Sequence, residues 1–104
     1  MNLDLLKQLV FRKGYKATVH SVYEMDADNF AIGDILEAMK NCEILEDYPH
    51  SAPFQSCLVL GFNFNDEPIH MVWAYDDKDN EAILITVYSP DPRLWVKYKE
   101  RRKK

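Results

Sequence analysis

Three histidines, His20, His50 and His70, are the side chains here best suited to moving protons near neutral pH. His70 lies between Ile69 and Met71 in a strand-like stretch, on one face with Val72 and Ala74, small residues that can border a concave site. His20 closes a short strand-like stretch before a helical one, a position where the chain turns and side chains reach into clefts. Each also admits a structural role, a ring nitrogen satisfied by a hydrogen bond such as one to a backbone carbonyl. His50, in the loop from Pro49 to Pro53, reads as exposed. Thr86 and Tyr88 share one face of the last long strand, and the Tyr88 hydroxyl can donate to a phosphate or carbonyl oxygen, or its ring can simply pack. Hairpin register decides whether they meet His70. Paired positions with an even sum, such as 70 with 86 or 88, converge, and an odd sum sends the side chains to opposite faces.

Metal chemistry finds no support in these spacings. No HExxH, CxxC or EF-hand pattern occurs, and the acidic turn Asp76, Asp77, Asp79 lacks the glycine and twelfth-position glutamate of a calcium loop. Serine nucleophile elbows and P-loops are also missing, so no metal and no cofactor is expected. Cys42 and Cys57 read as reduced, buried thiols. The opening Met1-Asn2-Leu3-Asp4 carries no secretion signal, and no apolar run approaches the roughly 20 residues of a membrane span. A cytoplasmic chain with no membrane association is the expectation.

The elements that must position these groups follow from periodicity. At 104 residues the chain suits a single domain, 1–104, with one core. Leu3, Leu6 and Val10 recur at helical spacing, with Asn2 to cap and Gly14 to end a helix over 2–13. Tyr15 to His20 is β-tolerant, and Ser21–Met25 begins a helical turn. A second clear helix carries Ile32, Ile35, Leu36 and Met39, capped by Asp28 or Asn29 and stopped at Asn41. The period then becomes two. Glu43–Tyr48, Cys57–Phe64, Ile69–Tyr75 and Ala82–Tyr88 form four strands joined by polar turns, an antiparallel meander. Asp91 and Pro92 then start a closing helix with Leu94, Trp95 and Tyr98 on its apolar face. The fold class is α+β, with helices covering one sheet face.

Charge is divided unevenly. The net charge is −4, yet Arg93–Lys104 holds seven bases against Glu100, so that segment is +6 and residues 1–92 carry −10. An acidic body argues against indiscriminate nucleic-acid binding, while the basic end can attract a phosphate backbone or an acidic partner, or serve only as a solubilising tail.

From His20 onward the chain resembles a family of uncharacterised prokaryotic domains, domain-of-unknown-function family 4258. The matching pieces are His20 with Met25, the helix Asp34–Met39, Glu43–Tyr48 with Pro49, and Leu58-Val59-Leu60-Gly61. They continue as Pro68-Ile69-His70-Met71-Val72 and Ile85-Thr86-Val87-Tyr88 with Pro90 and Trp95. This sets a family-like core of 15–104 apart from an added N-terminal helix, 2–13. The resemblance implies a RelE/barnase-like fold similar to RelE/MqsR toxin ribonucleases, which cut RNA without metal and are encoded beside an antitoxin protein. It implies His20 and His70 as the acid–base pair, with Tyr88, joined by Tyr48, on the phosphate and Arg101 or Arg102 as fixed positive charge; Thr86 belongs to the same substrate-binding set. Where many members carry arginines after the first histidine, this chain has Glu24 and Asp28, which repel phosphate. The alternative is a non-catalytic protein-binding module of the same fold.

Overall fold

Asn2 caps the first helix as its position predicts: its side-chain oxygen accepts from the Leu5 N–H at 3.1 Å. The computed structural model describes residues 1–103; Lys104, the last of the basic run, lies outside them. Helix α1 spans Leu3–Phe11 and buries Leu6, Leu9 and Val10. It closes through Lys13, in the left-handed region at φ 62°, and the Gly14 N–H donates back to the Leu9 carbonyl at 2.7 Å.

Strand β1 is only Tyr15–Ala17. Helix α2 follows at Val19–Ala27, because the Thr18 hydroxyl accepts the Ser21 N–H at 3.1 Å and caps it. His20 therefore sits in the first turn of α2 and ends no strand. Helix α3, Ile32–Lys40, starts after Ala31, later than a cap at Asp28 or Asn29 would place it. Asp28 instead closes α2, and Asp34 receives the Ala31 N–H at 2.8 Å. The expected stop at Asn41 holds.

Four strands form the meander read from the period-two pattern: β2 (Glu43–Tyr48), β3 (Ser56–Phe62), β4 (Pro68–Asp76) and β5 (Glu81–Tyr88). The sheet is mixed and five-stranded, ordered β1-β5-β4-β3-β2, because β1 adds in parallel with Tyr15 opposite Ala82 and Ala17 opposite Leu84. Three residues are too few to show alternation, so this strand escapes a reading by period. One sheet face carries Cys57, Val59, Met71, Trp73, Leu84 and Val87 against Leu6, Leu9, Val10, Ile35, Ala38 and Met39 of the helices. Gly61 permits the closest approach: a Cβ there would collide with the Ala38 carbonyl of α3. Both cysteines are free and buried, and burial pushes the Cys57 thiol up to about 12.

Helix α2 lies along the free edge of β5 and completes its hydrogen bonding. Beyond β1, the Thr18 hydroxyl donates to the Ile85 carbonyl at 3.2 Å, Glu24 accepts from the Val87 N–H at 3.2 Å, and Asp28 accepts from the Ser89 N–H at 2.9 Å. The two acids thus stand in for a missing strand.

The closing helix does not form. Asp91 does begin one turn, its carbonyl accepting from the Leu94 and Trp95 N–H groups at 2.9 and 3.0 Å. The chain then extends into a hairpin of β6 (Trp95–Val96) and β7 (Glu100–Arg101). Lys97 and Tyr98 turn it with φ of 50° and 67°. Extension lets Trp95 and the Tyr98 carbonyl reach the uncovered sheet face, contacts a helix would forfeit.

Candidate functional site

The face of the sheet turned away from the helices holds the candidate chemistry. Register places His70 directly opposite Tyr88 and Val72 opposite Thr86, so the even-sum alternative is the one adopted and all four side chains share a face. On the other side of β4, Leu60 is opposite His70 and Leu58 opposite Val72; Glu46 is in turn opposite Leu58, and Tyr48 opposite Ser56. A bulge between Ile44 and Glu46 in β2 keeps Glu46 and Tyr48 on this face.

His70 is fully buried, 0 % exposed. Its Nε2 lies 2.5 Å from the Tyr98 carbonyl and its Nδ1 lies 3.1 Å from the Tyr88 hydroxyl. A carbonyl can only accept, so Nε2 carries the proton, and Nδ1 of the neutral ring accepts from Tyr88. Burial lowers the imidazole pKa, which fits the neutral tautomer. Burial likewise raises that of Tyr88 and keeps its hydroxyl protonated. Trp95 packs edge-on against the imidazole, with ring centroids 4.5 Å apart. A histidine satisfied by a backbone carbonyl, one of the two roles its position allows, is thus what one of its nitrogens displays.

Beside buried His70 and its half-buried partner Tyr88 lies a more accessible pair. Arg101 donates from Nε to Glu46 Oε2 at 2.9 Å and from Nη2 to Oε1 at 3.1 Å, and its guanidinium lies 4.6 Å over the Trp95 ring. The Tyr48 hydroxyl donates to Glu46 Oε1 as well. Arg101, with Tyr48, holds the Glu46 carboxyl below its ordinary value, and Glu46 in turn raises the Arg101 pKa. Desolvation first, then the hydrogen bond to Glu46, raises the Tyr48 pKa. Lys99 pairs with Glu43 at 2.8 Å on the same hairpin.

Of the residues singled out from sequence, His70, Tyr88, Thr86, Tyr48 and Arg101 belong to this face. His20 does not touch His70: its Nε2 lies 3.2 Å from Glu24 Oε1 and its side chain is 70 % exposed. Glu24 links the two regions, since it also holds the Val87 N–H next to Tyr88. Arg102 turns away, its Nε donating to the Pro92 carbonyl at 2.7 Å, and fastens the base of the hairpin. His50 is exposed in the loop, as read. Glu46 and Trp95 were missed as site residues. Glu46 is two positions from Tyr48 on one strand, and that spacing was the available signal. Trp95 was read only as part of the apolar face of a closing helix, and the hairpin that forms instead brings it to His70.

A cavity of about 350 Å³ opens on the same face, lined chiefly by Val72, Ala74, Ile83, Ile85 and the loop from Ser51 to Phe54. Among the described residues no cluster of three or more His, Cys, Asp or Glu could hold a metal, and no helix is long and apolar enough to cross a membrane.

An α+β domain with a mixed five-stranded sheet, helices on one face and a polar cluster on the other, is the class these features define. Residues 17–89 match the family model described as domain of unknown function (DUF4258), and the chain belongs to that family. Helix α1 and the β6–β7 hairpin fall outside the match. Comparisons with curated proteins and with solved structures gave no match.

Proposed function

We propose that the protein is a metal-independent endoribonuclease of the RelE/MqsR kind, acting at the Glu46–Tyr48–Arg101 rim of the outer sheet face. The observation that carries this reading is the single cluster in which a carboxylate, a guanidinium and two neutral phenols meet beside a neutral imidazole. A phosphodiester competes with Glu46 for the Arg101 fork, which suits phosphate as well as carboxylate. Once Arg101 turns to the phosphate, Glu46 loses its strongest donor, its pKa rises, and it becomes free to accept the proton of a ribose 2′-hydroxyl. The 2′-oxygen bonds to phosphorus, the bond to the 5′-oxygen breaks, and Tyr48 or Tyr88 supplies the proton that leaves with that oxygen. Arg101 and Lys99 balance the negative charge that builds up. His70 orients Tyr88 as a positioning residue, so the acid–base work expected of a His20–His70 pair passes to Glu46 and a tyrosine. Glu24 and Asp28 are occupied by strand amides, and their role is structural.

A toxin of this class would be held in check by a protein partner. The second reading, a non-catalytic protein-binding module, draws on the apolar stripe that α2 turns outward, with Val19 73 %, Val22 53 % and Tyr23 71 % exposed. Single-stranded RNA with EDTA present separates the two. Cleavage to 2′,3′-cyclic phosphate and 5′-hydroxyl ends, with DNA of the same sequence left intact, is expected. Intact RNA from folded protein free of any co-purified partner leaves the binding module.

A further inference from the structure

We infer that the cavity on the outer face is a subsite for a single nucleobase, the neutral half of the nucleotide whose phosphate lies at Arg101. The inference rests on the ribonuclease reading for its location, though not for its test.

The ten residues that line the cavity include no charged side chain. A phosphate or carboxylate placed there would lose its water without compensation. The floor is aliphatic, formed by Val72, Ala74, Ile83 and Ile85, while Phe54 stands half-buried in the wall and offers an aromatic face. Two hydroxyls add direction. Ser51 Oγ lies 2.6 Å from the Phe54 carbonyl and 2.8 Å from Ser56 Oγ. The Tyr48 carbonyl lies 3.2 Å from the same oxygen; since carbonyls only accept, the one Ser51 proton goes to them, and Ser56 donates to Ser51 and keeps its own lone pairs. Ser56, a lining residue, thus keeps an oxygen able to accept beside an aliphatic floor, a combination suited to a flat heterocycle bearing an amino group. Its volume, about 350 Å³, is near the lower end of the range for ligand pockets; it suits one heterocycle and excludes a helix.

Position supplies the second half of the argument. Val72 on the cavity floor shares a cross-strand row with Leu58 and Glu46, and Ser56 faces Tyr48 across β2 and β3. The uncharged cavity therefore borders the Tyr48–Glu46–Arg101 cluster, on the face that the basic hairpin overhangs. A ligand neutral and flat at one end and anionic at the other matches this pairing of surfaces, and a nucleotide is such a ligand.

The test is an amide NMR titration of the full chain with adenosine, guanosine, cytidine and uridine, and separately with inorganic phosphate. Nucleosides are expected to shift Phe54, Val72, Ala74, Ile83 and Ile85, the amino-bearing bases at several-fold lower concentration than uridine. Phosphate is expected to shift Lys99 and Arg101 and leave the cavity unmoved. Ala74→Phe, which fills the floor, is expected to abolish the nucleoside shifts and keep those from phosphate. Ser56→Ala, a milder change, is expected to erase the preference for amino-bearing bases. Nucleosides that leave the cavity amides unmoved overturn the inference, as does indole binding there as well as any nucleoside. Base binding in the cavity of a protein that leaves RNA intact keeps the subsite and removes the ribonuclease; RNA cleavage without base binding does the reverse.

Discussion

His70 marks how much a residue's type discloses and how much its surroundings decide. Strand alternation was enough to put it on one face with Tyr88 once the register was even. A ring nitrogen held by a backbone carbonyl was within the reading, but the completeness of the burial was not, because the cover comes from Trp95 and the Tyr98 carbonyl, on a segment whose capping signals pointed to a helix. The consequence can be measured. An unfolded chain takes up a proton at the ordinary imidazole value of 6.5, whereas folded His70 resists it to a lower pH. The unfolded state binds more protons in that interval, so the contribution of His70 is complete above pH 6.5 and falls as pH drops toward the folded value. Urea unfolding from pH 7.5 to 5 is expected to show this decline, and a flatter profile in His70→Gln. His70→Ala strands the Tyr88 hydroxyl and the Tyr98 carbonyl and leaves a void, with an expected loss of roughly 2–4 kcal/mol; a loss below 1 kcal/mol would show the pair to be incidental.

Among the elements, those with several turns or alternations were readable from their period; of the short ones, β1 was read as a β-tolerant stretch that ran too far, to His20, and the β6–β7 hairpin was not read. Helices α1 and α3 and the four long strands follow from periodicity. Strand β1 and the β6–β7 hairpin hold three and two residues per strand, and tertiary partners define them. Gly61 is a tight point between elements. Gly61→Ala would drive a methyl group into the Ala38 carbonyl of α3, and a loss of about 1–3 kcal/mol is expected by denaturant unfolding; an unchanged midpoint would mean that α3 slides freely on β3. The hairpin depends instead on its partners. Arg101→Ala removes the fork to Glu46 and the cation over Trp95, and faster hydrogen exchange of the Lys99 and Arg102 amides is expected while the β4 amides stay protected.

For the molecule as a whole, the division of charge was plain in the sequence and its use was not. The acids of residues 1–92 do more than repel anions. Glu43 and Glu46 hold the basic hairpin down, while Glu24 and Asp28 finish a sheet edge. Lys99 and Arg101 are held by Glu43 and Glu46, which a phosphate backbone must displace, and RNA binding should therefore be modest and moderately salt-dependent. For three phosphate contacts, by Lys97, Lys99 and Arg101, the logarithm of affinity should fall against that of salt with a slope of roughly −2, measurable by fluorescence anisotropy with an inactive variant. The ribonuclease reading proposed above is centred on Glu46 and Arg101, which pair at the sheet face, and not on the His20–His70 pair that the resemblance implies, since His20 lies exposed against Glu24.

The most direct test of that centre is the cleavage rate of a fluorogenic single-stranded RNA in EDTA by the wild-type protein and by Glu46→Gln. Glutamine keeps the size of Glu46 and can still accept from Arg101, but it cannot take a proton. Cleavage by the wild type, with a rate about 10²–10⁴-fold lower in Glu46→Gln and an unchanged unfolding midpoint, is the predicted result. Equal rates for the two proteins, or no cleavage by the folded wild type, would contradict the account.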